Sequence, residues 1–317
     1  MGALLPLLWA ASTPGWDLRE SRRFGASTQP VCVFHSGRAP PSMLFALSMA
    51  ALALPLPPAF VALNSSAGVE MLDAVTTMKV SYDQAAIHMV SQIDQHSCGR
   101  ASATIVLNAL APQSAPVAPA YAPYAYWTQD NYIGDAGQRT PLQQCVASNC
   151  TAPCSLDQEV GALNCVQGLI AVAYHAETIG SAATLEALIR GVVGKREIMI
   201  VANFAGGEAM HNLNHSGHFS PIVAITADTP AMVLVLDVSR YKYPPWWVPI
   251  DVMWSGINTA SSDKTSRGIY LAYKHTTPPP PGVSLAPSES PGPGPGPVDT
   301  PPPKPNPADS VSQHVEP

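Results

Sequence analysis

The stretch Gln92-Ile93-Asp94-Gln95-His96-Ser97-Cys98-Gly99-Arg100-Ala101-Ser102-Ala103-Thr104-Ile105-Val106-Leu107-Asn108-Ala109-Leu110 decides how the rest of the chain is read. After Cys98, apolar positions at Ala101, Ile105, Leu107 and Leu110 among small residues predict a mostly buried helix that stops at Pro112. Cys98 then lies in the first turn, where unpaired backbone N–H groups and the positive end of the helix dipole favour a thiolate. Alone, such a cysteine is more often a small buried core residue. Chemistry requires a partner elsewhere.

A partner is offered by Gly217-His218-Phe219-Ser220-Pro221-Ile222-Val223-Ala224-Ile225, the turn-like Ala227-Asp228-Thr229-Pro230, and Met232-Val233-Leu234-Val235-Leu236-Asp237-Val238. Two apolar runs around Asp-Thr-Pro predict a β-hairpin. A loop centred between Asp228 and Thr229 sets Ser220 opposite Asp237 and His218 opposite Ser239. Period-two alternation then places His218 and Asp237 on one face as diagonal neighbours. A carboxylate so placed fixes the imidazole tautomer and stabilises its cation, leaving the other ring nitrogen for a nucleophile. An odd-length loop would send one of the two to the opposite face.

Two other constellations compete. His211, His215 and His218 have H-x-x-x-H-x-x-H spacing, which on a helix could hold a metal. The Asn-Leu-Asn and flanking Gly residues make a poor helix, however, and no Glu follows His211 to act as the base of a zinc hydrolase. Of six cysteines, Cys145, Cys150, Cys154 and Cys165 cluster at spacings without paired C-x-x-C knuckles, so two disulfides or four thiols are expected before a structural zinc site.

Of the 34 prolines, eight fall in residues 1–63 and fifteen in 278–317, leaving a globular segment at about 64–277. The Pro-rich tail favours extended, solvated conformations and reads as a disordered spacer. In the N-terminal part, an apolar run from Met43 to Leu54 follows Arg38 and contains small residues at Ala51 and Ala53, as in an organelle-targeting or export presequence. With 46% hydrophobic and 12% charged residues, the middle can build a core. A net charge of −6 and no block of Lys or Arg exclude a general nucleic-acid or anionic-membrane binder.

The segments Gln92 to Leu110, Gly217 to Ile222 and Leu236-Asp237-Val238-Ser239-Arg240-Tyr241-Lys242-Tyr243-Pro244-Pro245-Trp246-Trp247-Val248-Pro249 closely resemble the catalytic domain of phytochelatin synthases, papain-like cysteine transferases, over about Val80 to Tyr273. The resemblance implies an α+β papain-like fold, with a helix carrying the nucleophile packed on an antiparallel sheet. It implies Cys98 as nucleophile, His218 as base and then acid, Asp237 as its orienter, and Gln92 as an oxyanion-hole donor. Asn203 and Arg267 would hold the γ-glutamyl end of glutathione, with Arg240 and Tyr243 lining the site. Glutathione and a metal–glutathione complex are the implied partners. Cd2+ or Zn2+ would enter as the thiolate complex without a tightly bound cofactor, and a homodimer is left open. Pro278 onward stands where plant members carry a cysteine-rich region, so the organisation resembles the short bacterial-type members, which favour hydrolysis of glutathione.

Overall fold

The computed structural model describes residues 54–111, 115–206, 217–261 and 264–276. His211, His215, the stretch 1–53 and the tail from 277 lie outside them. The centre is a seven-stranded antiparallel sheet. Its strands are β1 (Val61–Ala62), β2 (Leu169–His175), β3 (Ile198–Ala205), β4 (Gly217–Ile225), β5 (Met232–Val235), β6 (Trp246–Pro249) and β7 (Gly268–Lys274), in the order β1-β6-β5-β4-β3-β7-β2. Helices cover both faces, which is why β3 is buried at all eight positions and shows no polar alternation.

On one face pack α3 (Cys98–Leu110), α4 (Gln129–Ile133), α5 (Pro141–Asn149) and α6 (Leu156–Leu163), with Val106, Leu107, Trp127 and Leu163 meeting Val201, Val223 and Tyr270. On the other, α7 (Ala176–Ile179), α8 (Ala182–Val193) and α9 (Ile250–Ile257) bring Leu185, Ile189, Val192 and Met253 onto Ile200, Phe204, Ile222 and Leu271. Two short helices, α1 (Ser66–Ala74) and α2 (Val80–Ala85), precede them. Such a sheet-and-helix arrangement is α+β and compatible with the papain-like fold. Among the described residues, no helix is long and apolar enough to cross a membrane.

The folded unit starts earlier than the expected boundary at 64. Val61 and Ala62 pair with Trp247 and Trp246, the Phe60 ring stacks on Trp246 at 4.9 Å, and the Leu54 N–H donates to Lys242 O. Tryptophans with large apolar faces on β6 recruit this segment, which the proline and presequence signals had placed outside the domain.

The β4–β5 hairpin reaches the expected register by an unexpected route. Ile225 faces Val233 and Ala224 faces Leu234, so the loop holds an odd number of residues. A bulge between Ile222 and Ala224 turns Val223 and Ala224 toward the same face and restores the pairing Ile222 with Val235. An extra residue in one strand shifts everything beyond it by one position. The Leu236 N–H then donates to Pro221 O, and His218 and Asp237 share a face.

Candidate active site

Helix α3 begins at Cys98 as the sequence predicts and ends at Leu110, followed by Ala111 in the left-handed region at φ 45°. Ser97 makes no side-chain cap bond, so the first-turn amides beside Cys98 are not consumed by a cap. The helix is fixed from behind: Ser102 Oγ donates to Phe219 O at 3.1 Å, and the Asn108 amide brackets Trp127 through both its backbone N–H and carbonyl. The loop entering the helix is held by Gln129, which accepts from Ile93 N–H and donates to Ser91 O. Cys98 is buried and is the free cysteine among the described residues.

His218 Nε2 lies 2.9 Å from Asp237 Oδ1 and 3.1 Å from Ser220 Oγ, so its other ring nitrogen is the one left for the Cys98 sulfur. Burial alone would pull the imidazole pKa down. The Asp237 charge and hydrogen bond, aided by a hydrogen bond and charge from Cys98, outweigh it and push the value up to about 10. Asp237 is 2% exposed. Burial would raise its pKa, but the His218 cation and bond, the Trp246 indole N–H at 2.9 Å and the Ser239 N–H at 2.7 Å hold it below the ordinary carboxylate value. Phe204 sets its ring edge against the imidazole at 5.4 Å. The result is a stabilised imidazolium within hydrogen-bonding reach of a cysteine at a helix terminus.

Gln92 is brought to this site but is differently engaged than expected. Its Nε2 hydrogens donate to Asp94 O at 2.6 Å and Tyr241 Oη at 2.9 Å, and its Oε1 accepts from Ser239 Oγ. An oxyanion would have to take the place of one of these acceptors, and both Asp94 and Tyr241 lie at the surface. Asn203 stands buried on β3, opposite Phe219 and Gly268. The Arg267 guanidinium lies against Gly217, one residue from His218, and donates through Nε to Thr259 Oγ1. Arg240 sits at the surface, its Nη1 3.4 Å from Met89 Sδ, beside a cavity of about 600 Å3 lined also by Asn64, Tyr82, Ser91 and Pro245. Tyr243 is buried in the same apolar cluster as Phe204 and Trp246, the two aromatic residues that contact His218 and Asp237.

Sequence reasoning missed Tyr241, Ser239, Trp246 and Glu159. Trp246 lay within the quoted motif, and its indole donor had a readable need for an acceptor. Glu159 had one signal: Gly99 follows the nucleophile inside a helix, and a Cβ there would come within 2.5 Å of Glu159 Oε2. Burial pushes the Glu159 pKa up to about 7, against an opposing pull from Arg100.

A helix-borne thiol, an imidazolium from an antiparallel sheet and a buried carboxylate define a papain-like cysteine site. The family model described as phytochelatin synthase matches residues 51–269, and the chain belongs to that family. The chain is 58% identical over 43 residues to glutathione gamma-glutamylcysteinyltransferase 3 of Lotus japonicus, covering 14% of this chain and 9% of that protein. It is 42% identical over 65 residues to glutathione gamma-glutamylcysteinyltransferase 1 of Triticum aestivum (20% and 13%) and 48% identical over 57 residues to glutathione gamma-glutamylcysteinyltransferase 2 of Arabidopsis thaliana (18% and 12%). The aligned stretches span at most 13% of these relatives' lengths.

Proposed function

We propose that this protein transfers the γ-glutamylcysteinyl group of glutathione through a thioester on Cys98. The supporting observation is the convergence of Cys98, His218 and Asp237 in a member of the phytochelatin synthase family. The Cys98 thiolate attacks the carbonyl carbon of the Cys–Gly peptide bond, and the oxygen gains the negative charge. The first-turn amides of α3 face that charge, and Gln92 joins them if it releases Tyr241. Collapse breaks the C–N bond as the His218 imidazolium gives its proton to the leaving amine of glycine. His218, now neutral, then takes a proton from the acceptor amine of a second glutathione as it attacks the thioester. Asp237 keeps the ring oriented throughout and stabilises its cation without itself being protonated.

A metal–glutathione thiolate is the acceptor in this scheme, so Cd2+ or Zn2+ arrives as part of the substrate. Arg267, whose guanidinium lies against Gly217, would take a substrate carboxylate, for which a guanidinium fork is suited. A second reading, hydrolysis to γ-Glu-Cys and glycine, follows from the same intermediate with water as acceptor. Incubating the protein with glutathione and Cd2+ and resolving the thiol products tests both: oligomers of γ-Glu-Cys support transfer, and γ-Glu-Cys alone supports hydrolysis. Cys98→Ala is expected to reduce glycine release by on the order of 10^4 or more. Retained glycine release in that variant would refute the scheme.

A further inference from the structure

A second cluster of reactive side chains lies against Gly99, one residue from the nucleophile, and the scheme above makes no use of it. Cys150 caps the C-terminus of α5, Cys154 lies in the loop before α6, and Glu159 sits in α6. The two Sγ atoms and a Glu159 carboxylate oxygen all lie within 4.8 Å of one another. The cysteines are joined as a disulfide with a Cα–Cα distance of 5.6 Å. A separate disulfide, Cys145–Cys165, ties α5 to the segment after α6.

Glu159 is the anomaly. It is fully buried, its Oε1 has no hydrogen-bond partner, and its Oε2 touches Cys150 Sγ at 3.5 Å. Among the described residues it joins none of the ion pairs. An ionised carboxylate buried without a hydrogen-bond donor is costly even with the Arg100 charge acting on it, and a disulfide sulfur carries no proton to donate to it. Opening the disulfide changes the chemistry of the cluster. Two thiolates and a carboxylate then form a donor set suited to a thiophilic d10 cation, whose tetrahedral shell leaves one position for water or an external thiolate.

We propose that Cys150, Cys154 and Glu159 form a binding site for a thiophilic divalent cation, Zn2+ or Cd2+, that opens when a small thiol reduces the Cys150–Cys154 disulfide. Reduction consumes two thiols RSH. The first breaks the S–S bond to give a mixed disulfide and one cysteine thiol; the second releases the other cysteine thiol as RSSR forms. The cation then replaces the two thiol protons, which leave to solvent, and Glu159 supplies the third bond. The Cys145–Cys165 disulfide tethers the two helices independently of this step. Because Glu159 Oε2 abuts Gly99, the ion sits one side chain away from the turn that carries the nucleophile.

The test uses the full chain with Cys98→Ser, so that the nucleophile contributes no thiolate. The protein is reduced with a phosphine, transferred to anaerobic buffer without reductant and titrated with Cd2+. Thiolate-to-cadmium absorbance reads the sulfur ligands, and native mass spectrometry reads the number of ions. One ion dependent on Cys150 and Cys154 is expected. Cys150→Ser with Cys154→Ser should abolish it, Cys145→Ser with Cys165→Ser should retain it, and Glu159→Gln should weaken binding by on the order of tenfold or more. Iodoacetamide labelling of the reduced parent with and without Cd2+ needs no cluster variant to fold: Cd2+ should protect Cys150 and Cys154. Equal labelling in both conditions, or cadmium binding unaltered by loss of both cysteines, overturns the proposal. Unchanged affinity in Glu159→Gln overturns the assignment of the carboxylate.

Discussion

Two buried carboxylates reach the nucleophile's turn through one neighbour each, and the chain treats them in opposite ways. Asp237 reaches Cys98 through His218 and is met by three donors, the imidazole, the Trp246 indole and the Ser239 amide. Glu159 reaches it through Gly99 and has one oxygen against a sulfur and the other against nothing that donates. Burial raises both pKa values, and only at Asp237 do partners reverse the sign. A carboxylate with its full complement of donors is fixed as an anion and can hold a cation beside it through a reaction. One whose Oε1 meets no donor, with only the Arg100 charge opposing its burial, is held far less firmly as an anion.

The sharpest way to break this contrast is Asp237→Asn. It removes the charge that sustains the imidazolium, so glycine release should fall by on the order of 10^4, and the fold should lose about 1–3 kcal/mol as the Trp246 and Ser239 donors lose their charged acceptor. Urea unfolding and a product assay read the two effects, and a loss below tenfold in activity would remove Asp237 from the mechanism. Next in size is Gly99→Ala. The new methyl meets Glu159 Oε2, so α3 must shift; activity should fall roughly 10^2-fold for a cost of about 1–3 kcal/mol in stability. Normal activity in this variant would show that the Glu159 side and the nucleophile are uncoupled.

The pH profile sharpens the same comparison from the Asp237 side. With its pKa raised to about 10 from 6.5, His218 contributes stability that is complete below about 6.5 and is lost as pH rises through about 10. Glycine release should therefore persist into alkaline solution and fall roughly tenfold per pH unit above about pH 10. Asp237→Asn should move that limb downward, since the Asp237 charge is the leading cause of the rise. Smallest is Glu159→Gln in the oxidised protein. Removing a buried carboxylate that lacks a hydrogen-bond donor, at nearly constant volume, should leave the melting temperature equal or higher and activity within about tenfold. A destabilisation as large as that of Asp237→Asn would abolish the distinction.

The nucleophile helix was legible because its signals are local: small and apolar spacing, a cysteine at the start and a proline past the end. The His218–Asp237 pairing was legible for a less secure reason. The loop is odd, as the sequence reading warned would separate the two, and a bulge that no local pattern announced restores the face. The hydrogen bonds of Gln92 were not legible, since they depend on Tyr241, 149 residues away in sequence. Glu159 was invisible except through Gly99, since proximity created by packing α6 behind α3 has no sequence period.

In the proposed reaction Cys98 carries the acyl group. Brief mixing with glutathione, acid quenching and peptide mass spectrometry test this directly. A γ-glutamylcysteinyl adduct is expected on the Cys98 peptide, removed by hydroxylamine and missing in Cys98→Ala. Glycine release from the wild-type protein with no such adduct, or an adduct on any other cysteine, would contradict it.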